Sequence, residues 1–276
     1  IISDYYGVTT DGNWEHGRNI LKRDGRDEEF LTKHNLHRDD WKVTLKQAKD
    51  KLLHHREKRI KPGLDDKIIT AWNAMTVCGL ADAYCVFADQ KFLEVALKNI
   101  HFVEKELVVG TQIYRSFRGK RSATQGFLDD YAYIIKAQLR LYQVTFDEHW
   151  IHRAAEFIRH TLEQFYDPNE GFFYYTSTNT EALITRKKEI FDNVIPSSNA
   201  IMAQNLHYAG TLLDREDWKR IACTMTNSLA HIITSEPNYM SQWAIVSTEI
   251  NKGMQEVLLM GNGFQALRVQ LQKEFH

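Results

Sequence analysis

Two pairs of adjacent aspartates, Asp65-Asp66 and Asp129-Asp130, are the groups in this sequence best suited by type and spacing to do chemistry. They lie 64 residues apart, each directly after a leucine that opens an expected helix. Two carboxylates in unlike environments divide acid and base work, because burial or a neighbouring charge holds one protonated while the other stays ionised. Breaking a glycosidic bond requires such a pair at a defined separation. An aspartate at a helix start has a second use. Its oxygen accepts from the unpaired amides of the first turn and stabilises the helix by about 0.5–2 kcal/mol. One member of each pair is therefore read as a cap. The other member, Asp66 in the first pair and Asp130 in the second, is the candidate acid or base.

Aromatic and polar residues gather around the same stretches. Trp72-Asn73, Tyr131, Tyr133, Phe173 and Tyr175 offer faces on which a sugar ring stacks and an amide that reads hydroxyls, and core packing is the competing use of each. Arg115 and Arg118, with Lys120-Arg121 behind them, make a cationic loop able to orient a polyhydroxylated or anionic ligand, or simply to be solvated. Ser197-Ser198 follows a proline and lacks the G-x-S-x-G elbow, so a nucleophilic serine is not expected. The twelve histidines are scattered, His54-His55 is adjacent and no H-E-x-x-H occurs, so neither a metal site nor a cofactor is expected.

The elements that must position these residues are helices. Trp41, Leu45, Ala48 and Leu52 step by 4, 3 and 4 along a helix expected from about Asp39 to Lys58, which Lys61-Pro62-Gly63 ends. After it an internal repeat appears. Phe92, Trp150 and Trp218 each open a helix, each is followed four residues on by alanine, and each comes after a short turn holding Asp89, Asp147 or Asp214. The first helix of each unit is expected to begin at Leu64-Asp65-Asp66, at Leu128-Asp129-Asp130 and at Pro196-Ser197-Ser198-Asn199. Leu128, Tyr131, Ile135, Leu139 and Tyr142 mark one face of the second, and Met202, Leu206, Ala209 and Leu213 one face of the third. The return loops carry short aromatic strand-like pieces, 113–117 and 171–176, which read as small hairpins.

Helical hairpins recurring at 58 and 68 residues exceed the period of common solenoid repeats. A mainly all-α fold follows: a partial (α/α)6 toroid of three to four hairpins, with short β-hairpins in the return loops. Its expected extent is residues 1–255, of which 1–37 are an irregular lead-in. Residues 256–276 are expected as a strand-helix tail, the strand over 256–261 and the helix from Phe264 to Phe275. Gly261-x-Gly263 is too incomplete for a phosphate loop.

Composition bounds what such a fold handles. The 276 residues carry 35 Lys plus Arg against 36 Asp plus Glu, so the chain as a whole has no basic field for nucleic acid or acidic lipid, and only a local patch is open to it. No apolar run reaches membrane-spanning length. Cys78, Cys85 and Cys223 form neither a disulfide framework nor a zinc motif, and they read as free thiols in a reducing, cytoplasmic setting. The sequence opens at Ile1 with neither an initiator Met nor a signal-peptide core, as though cut from something longer.

Four motifs in order resemble a known family. They are Tyr5-Tyr6-Gly7-Val8 with Gly12-Asn13 and Asn19-Ile20-Leu21; Leu64-Asp65-Asp66-Lys67 through Thr70, Trp72 and Asn73; Gly126-Phe127-Leu128-Asp129-Asp130-Tyr131-Ala132; and Pro196-Ser197-Ser198-Asn199. The family is the YyaL-type, or spermatogenesis-associated thioredoxin-domain, proteins, and the similarity runs from about residue 4 to about residue 270. It implies a thioredoxin-like domain followed by an (α/α)6 toroid of the six-hairpin glycosidase kind, related to N-acylglucosamine 2-epimerases and cellobiose epimerases. The thioredoxin-like part, its cysteine motif and the first hairpins have no counterpart in this sequence, so no redox role carries over. The histidines of the epimerase relatives match no motif of this sequence either.

The expected function is carbohydrate binding, or acid/base chemistry on a sugar of the glycosidase or epimerase type. Asp66 and Asp130 would be catalytic. Asp65, Trp72, Asn73, Arg115, Asp129, Tyr131, Phe173, Tyr175, Ser198 and Asn199 would bind substrate. The expected partners are a saccharide ligand and either a thioredoxin-like domain or the hairpins absent from this sequence, with no nucleic acid and no membrane. The rival expectation is a non-catalytic scaffold that packs against a thioredoxin-like domain, the double aspartates serving as caps. A third is a fragment whose uncovered helix faces make it self-associate.

Overall fold

The computed structural model of the chain describes residues 1–23, 25–180 and 185–274. These form two compact units, Ile1–Asp65 and Asp66–His276. Helices α1 (Ile2–Tyr5), α2 (Asp27–Lys33) and α3 (Arg38–Glu57) belong to the first unit. Its small core is Tyr5, Leu31 and Trp41, with Phe30 packed against it. Tyr5 meets Trp41 edge-on, the ring centroids 4.9 Å apart. The lead-in motif is held by one asparagine: Asn13 donates to the Gly7 and Ile20 carbonyls, and its Oδ1 accepts from the Ile20 amide. Gly12 is required beside it, because φ is +86° and a Cβ would lie 2.4 Å from the Gly17 backbone.

The second unit repeats one supersecondary element. Helices α4 (Thr70–Phe87) and α5 (Gln90–Leu107), α6 (Leu128–Thr145) and α7 (Glu148–Gln164), and α8 (Ser198–Leu212) and α9 (Glu216–Ser228) form three hairpins. Within each hairpin the two helices pack together, and α4, α6 and α8 pack side by side in that order. The short α10 (Ala230–Ser235) leads to α11 (Ser241–Lys252), which continues the row beside α8, while α12 (Phe264–Glu274) lies against α4. This is the two-layer arrangement of an α/α toroid, with α4, α6, α8 and α11 as inner helices and α5, α7 and α9 as outer ones. Outer helices need only one apolar stripe: in α5 it is Leu93, Ala96, Ile100, Val103 and Leu107, all buried. Inner helices are covered on more sides, and ten of the first eleven residues of α6, from Leu128 to Gln138, are buried.

Two of the three aspartate turns cap the helix that follows. Ala88 and Phe146 take the left-handed conformation that ends α4 and α6, and Asp89 and Asp147 then accept from the amides of Lys91 and His149. The third turn is displaced by one residue. Asp214 itself sits in the left-handed position at φ +53°, and Arg215 precedes α9 with no side-chain cap.

The return loops hold β1 (Ile68–Ile69), β2 (Val108–Val109), β3 (Gln112–Ile113), β4 (Ser116–Arg118), β5 (Lys120–Arg121), β6 (Tyr166–Asp167) and β7 (Phe172–Phe173). All pairings are antiparallel: β1 with β4, β4 with β5, β2 with β3, and β6 with β7. The first hairpin therefore does not begin at Leu64-Asp65-Asp66. The chain has no regular structure there, β1 pairs Ile68 with Phe117 and Ile69 with Ser116, and α4 starts at Thr70. Residues 256–260 also correct an expectation, because they form no strand. The expected end of the last helix at Phe275 lies outside the described residues. All three cysteines are free; Cys85 is buried, and burial pushes the Cys78 thiol up to about 12.

Candidate functional site

The N-terminal ends of α4 and α6 and the loops beside them enclose a cleft of about 680 Å³. Its floor is an arginine between two aspartates. Arg115 leaves the β3–β4 connection, and its Nη1 lies 2.7 Å from both oxygens of Asp129 and 2.9 Å from Asp130 Oδ2. The Arg115 guanidinium also lies over the Phe127 ring, which stacks on Tyr175 with centroids 5.0 Å apart. Arg115, Asp129 and Tyr175 reach the cleft, together with Trp72 from the first turn of α4, which is 58% exposed.

The two aspartates have different tasks. Asp130 is fully buried and works as a three-way tie. Its Oδ1 accepts from the Ala71 amide at 2.9 Å, and its Oδ2 accepts from the Phe127 amide at 3.0 Å as well as from Arg115. One carboxylate thus caps its own helix and, across the hairpin boundary, the start of α4, which has no side-chain cap of its own. Burial, then the negative charge of Asp129, push the Asp130 carboxyl well above the usual range, against the pull of Arg115. Burial pulls the Arg115 guanidinium down, but the charges and hydrogen bonds of Asp130 and Asp129 together outweigh it and push Arg115 upward, so it stays cationic. The expected acid or base, Asp130, accordingly does not face the cleft, and its neighbour Asp129 does.

The other expected residues divide in the same way. Asp66 lies outside the cleft lining and pairs with Arg118. Asp65 is exposed and belongs to the first unit. Asn73 donates to the Ile69 carbonyl one turn back, and it does not line the cleft. Tyr131 is buried, its hydroxyl accepting from the Ile113 amide and meeting His160 Nε2 at 3.2 Å. Tyr133 is buried too, its hydroxyl donating to the Pro196 carbonyl at 3.3 Å. Phe173 is core. Asn199 locks it, accepting from its amide at 2.8 Å and donating to its carbonyl at 2.9 Å. Ser198 is buried, and its hydroxyl has no hydrogen-bond partner among the described residues.

The Pro196-Ser197-Ser198-Asn199 motif nevertheless shapes the cleft. The Ser197 hydroxyl and Asn199 Nδ2 both donate to the Glu189 carbonyl, at 2.8 and 3.0 Å. Asp192 accepts from the Ser197 amide and from the Gln242 amide, and Trp243 Nε1 donates to the Ile190 carbonyl at 2.7 Å. These bonds fix the wall 187–197 against α8 and α11. The wall brings Glu189 into the cleft, and burial, its largest influence, pushes the Glu189 carboxyl upward. Glu189 and Tyr239 are cleft residues that sequence reasoning missed. No motif contains either, and the only signal was that the stretch before Pro196 must lead back to an inner helix.

Among the described residues no group of three or more His, Cys, Asp or Glu side chains is placed to hold a metal ion. No helix among them is long and apolar enough to cross a membrane.

No protein-family model matches the chain. It is similar to an uncharacterized protein of Caenorhabditis elegans, with 26% identity over 279 residues that cover 95% of this chain and 38% of that protein. It is 25% identical to spermatogenesis-associated protein 20 of Mus musculus over 247 residues, which cover 82% of this chain and 31% of the relative. The chain thus spans about a third of the length of the curated relatives it matches, and the Mus musculus relative agrees with the family resemblance drawn from the four motifs. A GH76 alpha-mannanase from Bacteroides thetaiotaomicron superposes with a TM-score of 0.50 at 18% identity, over 60% of this chain and 46% of that one, and shares the α/α-toroid fold.

Proposed function

We propose that the cleft at the inner-helix ends binds a saccharide, and that, of the ionisable groups lining it, Asp129 and Glu189 do its acid and base work. The observation that carries this reading is the placement of Asp129. It is a carboxylate held by Arg115 at the floor of a cleft walled by the aromatic faces of Trp72, Tyr175 and Tyr239. Aromatic faces supply the apolar contact that a sugar ring needs, and fixed polar groups read its hydroxyls. Glu189, shifted upward by burial, is suited to donate a proton, and Asp129 to accept one or to stabilise positive charge. The α/α-toroid fold, shared with a mannanase, is compatible with this reading, although a fold by itself does not specify chemistry.

A panel of mono- and oligosaccharides, titrated calorimetrically into the wild-type chain and into Asp129→Asn and Trp72→Ala, tests the proposal. At least one sugar should bind saturably, and each substitution should weaken it about tenfold or more, because each removes one hydrogen-bonded or stacked contact. Trp72 is exposed, so its removal should leave the melting temperature within about 2 °C of wild type. Sugar affinity unchanged in both variants would reject the site. The rival reading, a non-catalytic scaffold, draws on one specific observation: Asp130 commits both its oxygens to the fold. Absence of binding across the panel, with a cooperative melt, would favour it.

A further inference from the structure

The near-neutral total charge hides a segregation. Residues 42–61 carry eight Lys plus Arg and two acids, a net +6, which leaves −7 for the rest of the chain. This stretch is the greater part of α3 and the segment after it. Lys42, Lys46, Lys49 and Arg56 recur at i, i+4, i+7 and i+14, and so form one helical face. Lys42 has Asp39 beside it, and the other three have no ion-pair partner among the described residues.

The apolar side chains here are as unusual as the charge. Trp41 is buried in the first unit's core, but the same stripe continues to Leu52, which is 42% exposed, and every residue from Lys49 to Lys67 is exposed. Leu53 (55% exposed), Ile60 (101%) and Leu64 (85%) line a notch of about 670 Å³ rimmed by Arg56, Arg59 and Lys61. A merely solvated helix face would pair its lysines with glutamates at i±4 and would not display four branched aliphatic side chains. Phosphates of a nucleic acid would satisfy the cations alone and leave the aliphatic notch facing water. A surface that offers anionic groups and hydrocarbon together satisfies both.

We propose that α3 and the segment 58–64 dock on an anionic lipid membrane surface. The cations would face the headgroups, while Leu53, Ile60 and Leu64 enter the headgroup–acyl boundary. This inference is independent of the saccharide cleft, and none of its residues lines that cleft.

Flotation of the full chain with vesicles tests it. One set is phosphatidylcholine alone, and the other contains about 30 mol% phosphatidylserine, at about 0.15 M salt. The chain should partition onto the anionic vesicles about tenfold or more better than onto neutral ones. Binding should fall steeply as salt is raised. The triple variant Lys46→Glu, Lys49→Glu, Arg56→Glu should abolish the preference. Leu53→Ser with Ile60→Ser should weaken binding while leaving its salt dependence. All of these side chains are exposed, and the circular dichroism melt of each variant checks that it folds. Equal partitioning onto both vesicle sets, or a charge-reversal variant that binds like wild type, overturns the proposal. So does tighter binding to a single-stranded RNA or to a poly-glutamate peptide than to the anionic vesicles.

Discussion

Removing the Asp130 carboxylate tests whether this residue belongs to the fold or to the chemistry. In Asp130→Ala, the Ala71 amide, buried at the start of α4, and the Phe127 amide, at the start of α6, lose their acceptor together. Each buried amide left unpaired costs about 1–3 kcal/mol. Arg115 keeps Asp129, so the full 3–5 kcal/mol of a broken buried ion pair is not added. The expected loss is about 3–5 kcal/mol. For a unit of roughly 200 residues that lowers the melting temperature by about 10 °C or more. Asp130→Asn should recover part of the loss. Its carbonyl oxygen can still accept from Ala71, but its amide group then faces two donors, Phe127 N–H and Arg115. Urea unfolding followed by circular dichroism, with the slope checked for constancy, reads these differences directly. A loss under about 1 kcal/mol in Asp130→Ala would refute the tie. Abolished sugar binding with stability intact would return Asp130 to the catalytic role that the sequence suggested.

Two further expectations concern the same corner. In Asp129→Asn the repulsion that helps raise the Asp130 carboxyl disappears, so the Asp130 pKa should fall toward its usual value. In wild type the folded pKa lies above the unfolded one, so this group's contribution is fully present below the unfolded value of about 4 and is lost as pH rises through the folded pKa. Urea midpoints measured across that window should decline less in the variant, and an identical decline would mean that Asp129 does not act on Asp130. Gly126→Ala should destabilise by about 1–3 kcal/mol, because its Cβ would sit 3.1 Å from the Ile113 side chain, 3.2 Å from the Ile113 carbonyl and 3.3 Å from the Asp130 Cβ. A neutral result by urea denaturation would show that the β3–α6 contact can open.

Local and periodic information was enough to read the second unit's hairpins from the sequence. Apolar steps of 3 and 4 mark helices whatever their neighbours are, and an aspartate before a helix caps it with a bond that spans only two residues. Besides the strand expected over 256–261, the local inference that failed was Leu64-Asp65-Asp66 as a helix start. The sequence held a warning: the outer helices recur at 58 residues between Gln90 and Glu148, and so do the inner starts Thr70 and Leu128, whereas the two aspartate pairs lie 64 apart. The pairs are therefore not equivalent positions of the repeat. The cap of α4 could not be read locally, because it comes from Asp130, 59 residues ahead of Ala71.

The tertiary structure alone decided which of two adjacent aspartates lines the cleft. Consecutive helical residues point about 100° apart, and neither composition nor spacing says which direction is core. Packing of α6 between α4 and α8 buries both, Asp130 fully and Asp129 to 4% exposure, and sets only Asp129 in the cleft lining. In the same way, Glu189 acquires its place from hydrogen bonds made by Ser197 and Asn199 to its backbone, which any residue type there would accept. Side-chain identity set the menu of chemistry. The long-range contacts chose from it, because burial and backbone tethering are properties of the assembled layers and of no single segment.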